Sequence, residues 1–246
     1  MNPYFDDGQV ALYLGDFREV LPDVMLDSIA DVVIADPPYA ETTLAWDRWP
    51  AGWPEHAARY ASSMWCFGSM RMFLDRWAEF TDWRLSQDLV WEKHNGSGFR
   101  TDRFRRVHEH VLHFYRGSWA DTYHEVPMTN DATARTRRSK RHPTHMGKID
   151  QTPYATIDGG PRLKTSVLYA PSAHGVAINE TQKPVTVVED LLRYACPPDG
   201  LVLDVFAGSC TTLVAARQLG MRAIGVELRE EQCERAALRL AQGVLL

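Results

Sequence analysis

The sequence predicts an α/β fold: a mainly parallel sheet interrupted by one long irregular insertion. Three observations carry this. Short apolar runs alternate with amphipathic stretches at both ends of the chain. The run Asp31-Val32-Val33-Ile34-Ala35 is β-branched and continuous, as strands buried on both faces are. From about Asn95 to Ala170 the periodicity fades and turn residues become dense.

Taken in order, Val10–Leu14 reads as a strand ending at Gly15-Asp16. A helical stretch follows, with Val20, Leu21, Val24 and Ile29 roughly on one face. The strand at 31–35 stops abruptly at Asp36-Pro37-Pro38. Ser63–Phe67 is a third strand, and a helix is expected near Met70–Glu79. Leu85–Glu92 and Val111–Tyr115 read as two more strands, antiparallel at a sheet edge. Within the irregular stretch lie Gly96-Ser97-Gly98, Arg137-Arg138-Ser139-Lys140-Arg141-His142 and Asp158-Gly159-Gly160-Pro161. So long a stretch inside a compact domain points to function or mobility. Regular structure returns with a helix over Val185–Cys196 and a strand at Leu201–Val205. Phe206-Ala207-Gly208-Ser209 then turns into a helix running to about Leu219. A strand at Ala223–Glu227 and a helix over Arg229–Ala241 complete the chain. Strand, glycine-containing turn, helix, strand and acidic end form the layout of a dinucleotide- or nucleoside-binding βαβ half.

Composition narrows the class. The 246 residues are 45% hydrophobic and 24% charged, enough for one large domain or a domain with an insertion. Cys66, Cys196, Cys210 and Cys233 form no C-x-x-C pair and have no zinc spacing, so free thiols in a reducing compartment are expected. His108, His110 and His113 show no metal spacing either, and no metal is expected. The start of the chain lacks basic and apolar leader regions, and no run reaches membrane-spanning length, so a cytoplasmic location is expected. The net charge is −5, yet Arg100–Arg141 holds ten Arg/Lys against five Asp/Glu. A basic stretch in an acidic chain is an electrostatic footprint for phosphate; a solvated basic loop is the plainer alternative.

The strongest motif is Asp36-Pro37-Pro38-Tyr39 at the carboxyl end of a buried strand, where open α/β sheets place ligands. An exocyclic base amine is a poor nucleophile because its lone pair is delocalised. Acceptors at its two N–H bonds can draw the nitrogen towards sp³; the Asp36 carboxylate and the Pro37 carbonyl supply them. Proline fixes φ, so that carbonyl is rigidly aimed. Tyr39 can stack on the base. A helix-capping Asp before a Pro-Pro turn is the structural alternative. In the second motif, Leu203 to Thr212, small residues and a helix N-terminus can approach an anionic group such as a cofactor carboxylate. Glu227, nineteen residues past Gly208, can accept from ribose hydroxyls. An ordinary βα turn and a surface carboxylate are the alternatives for these two.

Together with Gly15-Asp16, Trp91-Glu92-Lys93-His94-Asn95, His108-Glu109-His110-Val111-Leu112-His113-Phe114 and Thr181-Gln182-Lys183-Pro184-Val185, these motifs resemble the β-type DNA amino-methyltransferases, which act on adenine N6 or cytosine N4. The order, catalytic motif before cofactor motif with the basic segment between, is that of the β type. The resemblance covers the chain apart from about residues 116–170. It implies a Rossmann-like methyltransferase sheet: a catalytic half at 1–95 with a strand near 108–115, a target-recognition insertion at 96–172 and a cofactor-binding half at 173–246.

The resemblance also implies roles. Asp36, Pro37, Pro38 and Tyr39 match the catalytic tetrapeptide. Asp16, Asp36, Thr181, Lys183, Asp204, Phe206, Ala207, Gly208, Ser209 and Glu227 match positions around S-adenosyl-L-methionine. Arg135, Arg137, Arg138, Lys140 and Arg141 become candidates for DNA contacts. The target base must be flipped from the duplex. Trp46, Trp49 and Trp53 would roof the pocket or wedge into DNA, with core packing as the plainer role. A homodimer and a cognate restriction endonuclease are compatible partners. Three departures stand out: Val205 for proline, Cys210 for glycine, and Asn179-Glu180 for His-Pro. If position 210 needs positive φ, cysteine there is strained. Asp36 leans towards adenine N6. The alternatives are cytosine N4, an RNA or protein glutamine amide, and a non-catalytic nucleic-acid-binding module on the same fold.

Overall fold

The computed structural model describes residues 1–26, 28–97, 101–137, 154–171, 178 and 181–243. Two compact units emerge, Met1–Glu125 with Ser166–Leu246, and Val126–Thr165. The first opens with β1 (Phe5–Asp6), β2 (Val10–Leu14), α1 (Phe17–Met25), β3 (Val32–Ala35), α2 (Trp53–Ala57), β4 (Ser63–Gly68) and α3 (Met70–Arg76). Long strands β5 (Arg84–Ser97) and β6 (Arg106–Tyr115) follow. The second unit contains two small antiparallel pairs made by β7 (Met128–Thr129), β8 (Arg135–Arg137), β9 (Tyr154–Thr156) and β10 (Arg162–Leu163). The chain re-enters the first unit through β11 (Val167–Tyr169), α4 (Val185–Ala195), β12 (Leu201–Asp204), α5 (Thr211–Gln218), β13 (Arg222–Glu227) and α6 (Glu230–Ala241).

Among the described residues, nine strands form one sheet in the order β1-β2-β13-β12-β3-β4-β6-β5-β11. The stretch from β2 to β4 is parallel; β6 runs antiparallel to both β4 and β5. Alternation sorts the apolar residues onto two faces. Val32, Ile34 and Val202 pack with Leu191 and Leu213 of α4 and α5. Val33, Ala35 and Leu203 pack with Phe17, Trp53 and Met72 on the other side. Both faces are covered, which is why these strands read as continuous apolar runs. After β12 the chain goes through α5 to β13; after β3 it goes the opposite way to β4. The strand order therefore reverses between β12 and β3, the place off whose carboxyl ends open α/β sheets form their ligand crevice.

The expected elements are present, with three differences. Helix α1 buries Phe17, Val20, Leu21 and Met25, but Ile29 lies beyond it and is exposed. Leu26 ends the helix with a φ of 46°, so helical spacing no longer applies at residue 29. The helix expected through Glu79 stops at Arg76 and tightens into a 3₁₀ turn at Trp77–Phe80. The β5–β6 pair is not the sheet edge, because β11 pairs in parallel outside β5. Three residues are too short a strand to show periodicity. Among the described residues no helix is long and apolar enough to cross a membrane, and the four cysteines are free and buried.

Candidate active site

Asp36 leaves β3 at the reversal point, and its carboxylate meets Lys183 and Tyr39, which in turn meet Glu109. Lys183 Nζ lies 2.5 Å from Asp36 Oδ2 and 3.4 Å from Glu109 Oε2. The Tyr39 hydroxyl donates to Asp36 Oδ1 at 2.9 Å and lies 3.4 Å from Glu109 Oε2. Lys93 pairs with the other Glu109 oxygen. Lys183 precedes α4, whereas Lys93 and Glu109 stand on β5 and β6. Because β6 is antiparallel, its opening residues lie at the carboxyl end of β4, beside Asp36. The Lys183 side chain is 8% exposed and Asp36 27%, so the lysine is enclosed and the carboxylate keeps an open side.

Burial pushes the Asp36 carboxyl up, with Glu109 adding to that and Lys183 and Tyr39 opposing it. Burial would also raise Glu109, but Lys183 and Lys93 hold it down to about 2. Lys183 is desolvated yet raised by its two carboxylates, and therefore stays cationic. Burial and Asp36 push Tyr39 far up, so its hydroxyl keeps the proton it donates.

The turn after Tyr39 is fastened by Asp47. Its Oδ1 accepts from Ala40 N at 2.8 Å, and its Oδ2 from Glu41 N, Thr42 N and Thr42 Oγ1 at 3.0, 2.7 and 2.7 Å. This clamp holds Ala40 at a φ of 56°.

On the other side of the crevice three loops converge. Glu227 Oε2 accepts from Gly208 N at 3.0 Å, and Oε1 from Arg229 N and Nε at 3.0 and 3.1 Å. Gly15 N donates to the Glu227 carbonyl at 3.0 Å. Asp16 caps α1, accepting from Arg18 N at 2.9 Å, and pairs with the Arg18 guanidinium at 3.1 Å. Asp204 accepts from Phe206 N at 3.0 Å. Phe206 stands edge-on to Phe17 and Trp53. Ala207 and Ser209 are buried, and Gly208 has a φ of 49°. Arg239 donates from α6 to the Ser209 carbonyl at 2.7 Å and to Thr211 Oγ1 at 3.1 Å.

A family model described as DNA methylase, of the N6/N4 methyltransferase type, matches residues 30–238, which include both sides of this crevice. The chain belongs to this DNA methylase family. The type II methyltransferase M.ScaI of Streptomyces caespitosus is 25% identical over 97% of this methylase and 84% of its own length. The putative methylase YubD of Escherichia coli is 36% identical over 39% of this chain and 44% of its own. Two solved structures share the fold. M1.HpyAVI in complex with SAM has a TM-score of 0.63 at 21% identity, covering 94% and 99% of the two chains. The cytosine-N4-specific PvuII DNA methyltransferase has a TM-score of 0.68 at 16% identity, covering 99% and 90%.

The methylase brings most of the expected residues to one crevice. Asp36, Pro37, Pro38 and Tyr39 occupy one wall; Asp16, Asp204, Phe206, Ala207, Gly208, Ser209 and Glu227 surround the loops opposite. Lys183 is engaged by Asp36 and Glu109, and Thr181 is exposed two residues before it. Trp53 is fully buried in the core, so it neither wedges nor roofs. Trp49 donates to Glu79 Oε1 at 2.8 Å, and Trp46 lies under the Arg229 guanidinium at 5.0 Å. Arg135 is exposed in the second unit and Arg137 ends β8. Arg138, Lys140, Arg141, Asn179 and Glu180 lie outside the described residues. Among the described residues no group of three or more His, Cys, Asp or Glu could hold a metal ion. His113 is instead buried between Ser63 and Ser86.

Sequence reasoning missed Glu109, Lys93 and Asp47. Glu109 carried a usable signal: it alternates with Val111 and His113 on an inward-facing strand face, where a carboxylate needs partners.

Cys210 caps α5 with a φ of 58° and ψ of 32°, so the cysteine does occupy the left-handed region. Comparing Cys210→Gly with Cys210→Ala isolates this strain, since both remove the buried sulfur. The glycine variant is expected to be more stable by about 1 kcal/mol. Equal chemical-denaturation midpoints would show that the site is unstrained.

Proposed function

We propose that the chain transfers a methyl group from S-adenosyl-L-methionine to the N6 amine of an adenine flipped out of a specific double-stranded DNA sequence. The observation carrying this reading is the place of Asp36: an accessible carboxylate at the strand-order reversal, across from the loops of Asp204 and Glu227. The residues present fit the cofactor. Glu227 is 7% exposed and fastened by amides of two loops; Oε1 already accepts twice from Arg229, whereas Oε2 accepts once and keeps a lone pair for a ribose hydroxyl. Asp16 adds a second acceptor. Phe206 to Ser209 offer small residues ahead of the α5 N-terminus, where a carboxylate is favoured. Thr181 and Lys183 would line the methionine end. When bound, the cofactor supplies a methyl group already activated on a sulfonium.

The chain's own residues then orient the amine. Asp36 accepts one N–H and the Pro37 carbonyl the other, drawing the lone pair out of the ring. Pro38 holds that backbone rigid, and Tyr39 stacks on the base. The Asp36 carboxylate also stabilises positive charge developing on the nitrogen and takes up its proton. Residues 96–172 would read the sequence, with Arg135, Arg137, Arg138, Lys140 and Arg141 contacting phosphate or base edges.

A second reading is cytosine N4. It is favoured by the overlap with the PvuII enzyme, whose name states that specificity. DNA methylated by the purified protein and digested to nucleosides is expected to yield N6-methyladenine. N4-methylcytosine without N6-methyladenine would overturn the adenine assignment. Label appearing in RNA or protein but not in DNA would overturn the DNA substrate. Failure to bind S-adenosyl-L-methionine in calorimetry would leave a non-catalytic module.

A further inference from the structure

We propose that Glu109 is a positioning residue: by binding the Lys183 ammonium and the Tyr39 hydroxyl, it shares the two donors that also bind Asp36 and so keeps the Asp36 carboxylate open to a substrate amine. The inference rests on the function proposed above.

Each oxygen of Asp36 already faces a donor of the chain, Oδ2 the ammonium and Oδ1 the phenol. A carboxylate fully committed to a lysine is a weak acceptor for anything else. Glu109 competes for the same two donors: its Oε2 lies 3.4 Å from both Lys183 Nζ and the Tyr39 hydroxyl, a longer reach than the 2.5 and 2.9 Å that Asp36 makes to them. Lys93, seated 4.6 Å over the Trp91 ring, binds the opposite oxygen and fixes the Glu109 rotamer. The outcome is a row of alternating charges, Asp36, Lys183, Glu109 and Lys93, in which Lys183 lies between two carboxylates and Glu109 between two cations. A carboxylate 12% exposed on an inward strand face is costly unless it is paired in this way. The groups facing Asp36 are Lys183 before α4, Glu109 on β6, Tyr39, the protonated Cys66 thiol on β4, and Asp204 at the end of β12. Of these, only Glu109 contacts both donors.

Removing the charge should have two effects. Lys183 passes wholly to Asp36, so the amine is held less well and turnover falls. Asp36 also loses an anionic neighbour, so it stays ionised to lower pH. In Glu109→Gln, kcat is expected to fall about 10- to 100-fold, the range for a displaced reacting group. KM for S-adenosyl-L-methionine should change much less than kcat, because Lys183 remains in place beside Asp36. The acidic limb of the kcat profile should move to lower pH, and Glu109→Asp should restore part of the rate. Titration of ¹³C-labelled Asp36 by NMR should show the same downward move without any substrate.

An unchanged kcat in Glu109→Gln, or a lowered kcat with an unmoved acidic limb and Asp36 titration, overturns the proposal. Should the single variant fail to fold, Glu109→Gln with Lys93→Gln removes one charge of each sign, and the same readouts apply. A wild-type protein inactive on every DNA would overturn the proposed function instead, and the Asp36 titration would still decide the role of Glu109.

Discussion

Asp36→Ala is expected to reduce methyl transfer about 10³-fold, the middle of the range for loss of a positioned proton acceptor. S-adenosyl-L-methionine should still bind nearly as well. On the proposed function the loss would have two sources: the amine would forfeit the acceptor that draws out its lone pair, and the charge developing on nitrogen would lose its counterion. The rest of the site should survive, because Lys183 retains Glu109 and the Tyr39 hydroxyl lies within reach of the same carboxylate. Asp36→Asn sharpens the comparison. It keeps the volume but turns a donor towards Lys183 or Tyr39, so it should be no more active than alanine. Radiolabelled transfer to DNA and calorimetric cofactor binding measure both quantities. Turnover within a few-fold of wild type would remove Asp36 from the chemistry.

Asp204→Asn is expected to stabilise the cofactor-free protein at neutral pH by several kcal/mol. Burial raises the Asp204 carboxyl to about 7, with its hydrogen bonds from Thr212 and Phe206 opposing and the nearby Asp36 and Glu227 charges adding. The folded state therefore holds a proton between about pH 4 and pH 7 that the unfolded chain has released. Stability falls as pH rises through that window, since unfolding is favoured wherever the unfolded chain binds fewer protons. A shift of about three pH units corresponds to about 4 kcal/mol. Asparagine carries no charge to desolvate and its Oδ1 can still accept from Phe206 N. The variant should match wild type near pH 4 and exceed it by about 10 °C in Tm at pH 8. Equal melting points at both pH values would show that Asp204 is ionised and well paired. On the proposed function, Asp204 at the end of β12 would serve the cofactor, and functional groups are commonly held at a cost to stability.

Much of the molecule was legible before any coordinates. The strands 31–35 and 201–205 were readable because burial on both faces leaves a continuous apolar run. The crevice was readable because the chain puts its special residues directly after those strands: Asp36 to Tyr39 after β3, Phe206 to Ser209 after β12, Glu227 at the end of β13. Position 210 was recognisable as a conformational problem because the family it resembles carries glycine there, and its φ is indeed positive.

Other features depend on contacts between residues far apart in the chain, which local pattern does not encode. Trp53 could have served the DNA or the core; only the packing of α2 against Phe80 and Phe206 places it in the core. Strand β11 was hidden because its identity comes from pairing with β5 rather than from its three residues. Glu109 and Lys93 are ordinary charged residues on their strands. They become part of the site because antiparallel β6 begins, and its partner β5 ends, at the carboxyl end of β4. The sequence by itself determined the class of fold, the two motifs and their order. The tertiary structure alone decided which charges share the crevice, because a pairing such as Lys183 with Asp36 spans 147 residues and exists only once the sheet has assembled.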